Sequence, residues 1–397
     1  MSKLSIRNLT KIFGPHPEKA LGLLEQGLGK EEIHRRTSHA VGVDRASFDV
    51  EEGEIVVVMG LSGSGKSTLV RCLNRLIEPT AGTVTVDGRD VTSMPVDELR
   101  RLRQRSFGMV FQNFALFPHR TVLQNAAFGL EAMGVPRAER ERQAMVSLER
   151  VGLAEWAASR PAQLSGGMQQ RVGLARALSL DPDILLMDEA FSALDPLIRR
   201  DMQDELLRLQ DDLQKTIVFI SHDLDEALKL GDRIVLMRDG AVVQIGTPED
   251  ILTNPADDYV ARFVGEADVT KVLTAGSVMK RSEAVAVLGI DGPRTALRKM
   301  RRNAIATLFV LDERHRLVGL ITADDAARLA AEGVRELGSI VRRDIATVPP
   351  EAPATELISL MADLPHPLAV VDERGRLAGV IVRGLLLGAL AERGGVA

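Results

Sequence analysis

The chain has 397 residues, 45% of them hydrophobic and 26% charged, with a formal net charge of −5. That length asks for two or three domains, the mixture for a soluble globular protein, and the acidic balance gives no reason to expect a nucleic-acid partner. The single cysteine, Cys72, excludes an internal disulfide and fits a reducing compartment, where a buried packing role suits it. No apolar stretch approaches the ~20 residues a helix needs to span a bilayer, and the amino terminus lacks the apolar core of a secretory signal. The expectation is a cytoplasmic protein.

Strand patterns fall at 3–9, 46–50 and 54–59, the last almost continuously apolar, as suits a strand buried on both faces. That strand feeds Gly60-Leu61-Ser62-Gly63-Ser64-Gly65-Lys66-Ser67-Thr68, after which 66–76 reads as a helix. Residues 14–41 interrupt the early hairpin with Pro15, Pro17 and a helical stretch; this is a surface insertion or a family-specific contact. A short strand at 82–86 closes on the turn signal Asp87-Gly88. From 114 to about 164 the pattern turns helical, with 137–151 rich in Glu, Arg, Ala and Leu, which predicts a helical subdomain inserted into an α/β core. Buried-strand patterns return at 181–187 and 216–221, beside helical stretches, and this alternation predicts a parallel sheet.

The chemistry-bearing residues sit at the ends of these strands. Gly60, Gly63 and Gly65 allow backbone conformations that side chains would prevent, so that successive N–H groups and the following helix can surround phosphates. Lys66 would reach the β- and γ-phosphates and Ser67 would ligate Mg²⁺. Asp188 and Glu189 end a buried strand where ligands of open α/β sheets collect. Ser165, Gly166 and Gly167 precede a helix expected to begin near Met168, which forms a second anion-binding terminus. Gln112 lies where the helical region joins the core, ahead of Phe114-Ala115-Leu116-Phe117-Pro118, which is apolar for a loop and suggests a protein contact.

Taken in order, the phosphate loop, Gln112, Leu164-Ser165-Gly166-Gly167-Met168-Gln169-Gln170, Ile184-Leu185-Leu186-Met187-Asp188-Glu189 and His222 resemble the ATP-binding cassette (ABC) family over roughly residues 1 to 265. The resemblance implies that Asp188 holds Mg²⁺ through water, that Gln112 completes the Mg²⁺ and water contacts, and that Glu189 is the general base. It implies that His222 contacts the γ-phosphate. It also implies head-to-tail dimers in which Ser165, Gly166, Gly167 and Gln169 cap ATP held by the other copy, with Asp195 at the seam. The Phe114–Pro118 region would receive a membrane subunit. Phe13 is the candidate to stack on adenine, since the only tyrosine is Tyr259 and the only tryptophan Trp156.

Beyond residue 270 the character changes. From Lys271 onward there are 18 Lys and Arg against 15 Asp and Glu, a net of +3, leaving −8 for the preceding residues. Leu308-Phe309-Val310-Leu311-Asp312-Glu313-Arg314 returns about 60 residues later as Leu368-Ala369-Val370-Val371-Asp372-Glu373-Arg374, an internal repeat of one supersecondary unit. Each copy reads helix, strand, Asp-led turn, strand, helix, and the pair resembles tandem cystathionine-β-synthase-type (CBS) modules. In that family Gly-hydrophobic-x-Thr/Ser-x-x-Asp marks an adenosine site. Thr322 and Asp325 fit this pattern in the first copy, whereas the second has Val382 and Leu385 at the matching positions, so that at most one such site is intact; a pair that binds no ligand and serves only to dimerise is the alternative.

The fold expected is therefore an α/β P-loop ABC ATPase core at 1–265, with a helical subdomain at about 113–165, followed by α+β CBS modules at 270–331 and 332–397. The insertion at 14–41, Pro196-Leu197-Ile198-Arg199 after Asp195 and the CBS tail together are similar to the ATP-binding subunits of glycine betaine/L-proline importers. The resemblance implies ATP and Mg²⁺ as cofactors, a homodimer on the cytoplasmic face of the membrane, a permease partner and, indirectly, an extracytoplasmic substrate-binding protein. The CBS pair would gate the cycle in response to ionic strength or a nucleotide, and its net charge permits a salt-sensitive contact with anionic lipid. An importer for another quaternary amine, amino acid or ion, and a non-transport ABC ATPase, are the alternatives.

Overall fold

The computed structural model describes residues 2–112, 114–265, 272–281 and 284–393. The chain divides into two units, Met1–Val264 and Gly265–Ala397. The boundary expected at residue 270, like Asn113, lies outside the described residues.

The first unit is built on a six-stranded sheet whose order is Ala241–Gly246, Arg233–Arg238, Ile55–Met59, Thr216–Ile220, Ile184–Asp188, Phe107–Phe111. All neighbours pair in parallel except the edge strand Ala241–Gly246. Ile55–Met59, Ile184–Asp188 and Thr216–Ile220 are buried at every position, which is why their sequences are near-continuous Ile, Val, Leu and Met. Register matters most for the site: Asp188 lies opposite Ile220 on one side and Phe111 on the other, and Ile220 lies opposite Val58. Gly60, Gln112, Glu189 and His222 therefore all leave the same edge of one sheet.

A second sheet, antiparallel, has the order Ala40–Glu51, Ser2–Phe13, Ala81–Val86, Arg89–Asp90. Its two long strands extend well beyond the segments expected at 3–9 and 46–50. Leu4, Ile6, Phe48, Val56, Val58 and Leu69 share the core between this sheet, the central sheet and helix Lys66–Leu73. That helix stops before the expected residue 76 because the freed carbonyls have partners. Arg75 turns left-handed at φ 57°, so that Cys72 O accepts from Arg75 N at 2.9 Å and Arg71 O from Ile77 N at 3.0 Å.

The insertion is an ordered helical hairpin, Pro17–Glu25 and Lys30–Thr37. Ala20, Leu24 and Ile33 close on Ile12 and Val41, giving it a small core of its own at the strand ends. Its second helix reaches the phosphate loop, where Lys30 Nζ donates to Gly63 O at 3.2 Å.

The helical subdomain contains Val122–Ala126, Phe128–Ala132 and Arg137–Arg150, followed by Gly166–Leu178. Asn125, wholly buried, holds the loop before it: Oδ1 accepts from Phe117 N at 2.7 Å, and Nδ2 donates to Thr121 O, Phe117 O and Arg120 O at 2.9, 3.1 and 3.3 Å.

The second unit repeats one motif. Val285–Val287, Thr307–Leu311 and Leu317–Thr322 form a sheet with helices Pro293–Arg302 and Ala323–Ala331; Thr347–Val348, Leu368–Val371 and Leu377–Ile381 do so with Ala354–Asp363 and Arg383–Arg393. Each leading strand pairs in parallel with the middle one, and each of the last two strands forms an antiparallel hairpin. The Asp-led turns are the same structure twice. Asp312 Oδ1 accepts from the N–H groups of Arg314 and Arg316 at 2.9 and 2.8 Å, and Asp372 does the same for Arg374 and Arg376. The copies then exchange strand edges, Lys280 bridging Val380 and Arg342 bridging Leu320. Gly319 is obligatory there, since a Cβ would lie 2.2 Å from Arg342 O. Among the described residues no helix is long and apolar enough to cross a membrane.

Candidate active site

The phosphate loop turns on glycines. Gly60 and Gly65 have φ of 143° and 100°, and a Cβ there would lie 2.2 Å from Met237 O and 2.1 Å from Gly42 O, so both backbone conformation and close approach require glycine. Leu69 N closes the first helical turn on Gly65 O at 2.8 Å, which leaves the earlier N–H groups facing outward. Lys66 is buried, and its Nζ donates to Gly60 O at 2.7 Å and Leu61 O at 3.1 Å. Burial pushes the ammonium below the usual lysine range, while the carboxylates of Glu189 and Asp188 oppose that shift. Gly60, Leu61, Ser62, Gly63, Gly65, Lys66, Ser67, Thr68, Glu189 and His222 line one cleft of about 670 Å³ with Gly42. Ser64 is buried beneath the loop instead.

Three strand ends meet across this cleft. Gln112 Nε2 donates to Glu189 Oε2 at 3.3 Å, and His222 Nδ1 stands 3.4 Å from the same oxygen. Glu189 has φ 49°, an unusual conformation for a non-glycine residue, which aims its carboxylate across the sheet edge. Beside it Ser67 Oγ donates to Asp188 Oδ1 at 2.9 Å, and Arg71 pairs with Asp188 Oδ2 at 3.0 Å. A hydroxyl and a carboxylate in contact at the mouth of a phosphate loop are hard oxygen donors suited to Mg²⁺. No cluster of three or more His, Cys, Asp or Glu that could hold a metal exists among the described residues, so an ion here would share its shell with phosphate oxygens and water.

Phe13 ends the first strand, partly exposed, with its ring across Gly42, where a Cβ would lie 2.8 Å from Phe13 Cε2 and 3.2 Å from Thr68 Cγ2. Lys11 Nζ sits 5.1 Å from the ring centroid. An aromatic face thus stands at the rim of the phosphate loop. Ser165 caps helix Gly166–Leu178, accepting from Met168 N at 3.4 Å, so that helix starts two residues earlier than expected. Gln169 Nε2 is turned back onto Pro161 O and Leu164 O at 3.1 and 3.2 Å. None of Ser165, Gly166, Gly167 or Gln169 lines the cleft that contains Lys66. Asp195 precedes helix Pro196–Leu213, whose Ile198 packs against Gly167 closely enough that a Cβ there would lie 2.5 Å from its Cγ2.

In the second unit Thr322 caps helix Ala323–Ala331 through Asp325 N at 3.2 Å and donates to Asp325 Oδ2 at 2.9 Å. Thr322, Arg342 and Arg328 hold the Asp325 carboxyl below its usual range. Val382 and Leu385 offer no counterpart, and Arg383 there binds Met361 O, Ala362 O and Leu364 O. Sequence reasoning missed Gly42 and Arg71: a glycine inside a strand and an arginine one helical turn past Ser67 carry no signal until the fold brings Phe13 and Asp188 to them.

Comparison with known proteins gives the family of both units. The family model for the ABC transporter matches residues 43–192, and that for the CBS domain matches 275–332 and 334–392. The chain is 55% identical over 98% of its length to the glycine betaine transport ATP-binding protein OpuAA of Bacillus subtilis, covering 92% of that protein. It is 52% identical over 98% of its length to the glycine betaine/carnitine transport ATP-binding protein GbuA of Listeria monocytogenes, covering 98% of that protein. Among solved structures, the dimeric bacterial ABC transporter cassette MJ0796 is 31% identical, with a TM-score of 0.52 over 62% of this chain and 98% of that one. Two CBS matches behind one ABC match, and identity above one half along nearly the whole chain, mean that this chain belongs to the ATP-binding subunits of ABC transporters.

Proposed function

We propose that this subunit hydrolyses ATP to drive import of glycine betaine and proline-type osmoprotectants through a separate membrane permease, from the cytoplasmic face of the membrane. The observation that carries the catalytic part is the meeting of Gln112 and His222 on one oxygen of Glu189, beside Lys66 and the Ser67–Asp188 pair. The near-full-length similarity to two glycine betaine transport ATP-binding proteins supports the cargo.

In this reading Phe13 stacks on adenine, and the N–H groups of residues 60–68 with Lys66 hold the phosphates. Ser67, Asp188 and Gln112 would hold Mg²⁺, which supplies charge neutralisation at the β- and γ-phosphate oxygens. Glu189 takes the proton of the water that attacks the γ-phosphorus in line, and His222 orients that water from the facing strand end. Ser165, Gly166, Gly167 and Gln169 serve the nucleotide of a second copy, with Asp195 at the seam; their distance from this chain's own cleft suits that role. Residues 1–265 form the ATPase, 270–331 and 332–397 two CBS modules that regulate it, and Thr322 with Asp325 a candidate nucleotide contact. The permease meets the Phe114–Pro118 region, and an extracytoplasmic binding protein delivers the solute to it.

The test is uptake of labelled glycine betaine at raised osmolarity by cells carrying the native protein or Lys66→Ala. Uptake lost with Lys66→Ala supports both ATP dependence and cargo. Equal uptake in the two strains refutes the cargo, and a panel of other amines and amino acids follows.

A further inference from the structure

The loop that follows Glu189 and the loop that carries His222 are fastened together by one side chain. Arg199 sits in the first turn of helix Pro196–Leu213 and folds back over its own N-terminus. Its Nε donates to Phe191 O at 3.2 Å, and its Nη2 to Ser192 O at 3.3 Å and Leu194 O at 3.1 Å. Its Nη1 donates to Asp223 Oδ2 at 3.2 Å. Three carbonyls of residues 191–194 and the residue after His222 thus share one planar guanidinium, a fork that lysine cannot reproduce in full.

Both ends of this fastening are anchored. On one side Ser192 Oγ donates to Glu189 O at 2.9 Å, tying the loop to the catalytic carboxylate's own backbone. On the other, Asp223 Oδ1 caps helix Leu224–Leu230 through Glu226 N at 3.2 Å, and Asp223 N donates to Ser221 Oγ at 2.9 Å. Ser221 in turn donates to the buried Glu226 carboxyl at 2.5 Å, and Gln203 Nε2 donates to that carboxyl's other oxygen at 3.1 Å. His222 is held between two residues of this network, and its ring stands 3.4 Å from Glu189.

We propose that Arg199 is a positioning residue that sets the Glu189–His222 geometry and couples it to Asp195, through Leu194 O and through its own N–H, which donates to Asp195 O at 2.8 Å, so that docking of a second copy at the seam is felt at the attacking water. The proposal rests on the roles given above to Glu189, His222 and Asp195. Arg199 does not line the cleft that holds Lys66, Glu189 and His222; it acts through the carbonyls and Asp223. Its loss therefore leaves the phosphate loop intact and disturbs turnover.

The experiment measures ATP hydrolysis by the full-length chain across ATP concentration for the native protein, Arg199→Met, Arg199→Lys and Asp223→Asn, with Glu189→Gln as control. Asp223→Asn keeps an oxygen for the helix cap and turns an NH₂ toward Arg199, which breaks the tie to it. We expect kcat to fall about 10- to 100-fold in Arg199→Met with KM for ATP within about threefold, partial rescue by Lys, and a Hill coefficient moving toward 1. Asp223→Asn lowers kcat in the same sense and adds little to Arg199→Met. A folded Arg199→Met with native kcat and Hill coefficient overturns the proposal, even if its melting temperature falls. If Arg199→Met does not fold, native kinetics in Asp223→Asn overturn it. Undiminished hydrolysis by Glu189→Gln would instead remove the catalytic assignment on which the proposal stands.

Discussion

Replacing Asn125 by Asp exchanges one NH₂ for an oxygen without changing shape, and the structure makes this a severe change. Oδ1 keeps its bond from Phe117 N, but the atom replacing Nδ2 then faces the carbonyl oxygens of Thr121, Phe117 and Arg120. Arg120 O loses its donor, Phe117 O and Thr121 O keep only the backbone N–H groups of Arg120 and Asn125, and a carboxylate in a wholly buried site has nothing to accept from on that side. Unsatisfied buried groups and an unpaired buried charge together cost about 2–5 kcal/mol at pH 8. With a urea dependence of about 3 kcal/mol/M, the unfolding midpoint falls by about 1 M. Trp156 is the chain's only tryptophan and belongs to the same subdomain, where Leu123 N donates to Ala157 O at 3.0 Å, so its fluorescence follows this unit and not the tail. Burial raises the new carboxyl's pKa, so stability is recovered as pH falls and the carboxyl regains a proton to donate. A midpoint unchanged at pH 8, or a loss that is the same at pH 5, would show that Asn125 does not hold the 117–121 loop.

Glu189→Gln keeps the hydrogen bond to Gln112 within reach but cannot take a proton; ATP binding should persist and a nucleotide-dependent dimer accumulate on gel filtration, with turnover lost. Burial raises the Glu226 carboxyl, so its protonated form stabilises the fold at low pH and that stability is lost as pH rises. Glu226→Gln should therefore melt above the parent at pH 8 and converge with it toward acid pH; the opposite trend would refute the assigned sign. Gly319→Ala forces a Cβ against Arg342 O and breaks the paired bonds between Leu320 and Arg342, at 3.0 and 2.9 Å. Faster amide exchange at both residues, with a cost of about 2–3 kcal/mol, is the expected outcome.

The strand ends were legible because buried strands advertise themselves: Ile184 to Met187 could only be interior, so Asp188 and Glu189 had to emerge at an edge. What the pattern could not say is that register aligns Asp188 with both Phe111 and Ile220, which is why Gln112 and His222 converge on one oxygen rather than merely lie near it. The antiparallel sheet was underestimated, since bulges at Ile6–Leu9 and Leu9–Lys11 break the alternation along a strand that continues to Phe13. The inserted hairpin was visible as helical, but not its contact from Lys30 to Gly63, which depends on two turns of chain returning to the loop. The leading strands of the repeats, Val285–Val287 and Thr347–Val348, are too short to carry a period.

The exchange of edges in the tail has a consequence for how that unit can respond. Lys280 belongs to the first repeat by sequence yet lies along Val380 of the second, and Arg342 reverses the arrangement with Leu320. Each half lends the other a bridged residue at its sheet edge. A disturbance that loosens one repeat exposes the backbone of the other, so the two should melt together. A pair built this way has no stable half-open form, and any signal it passes on is shared by both repeats at once.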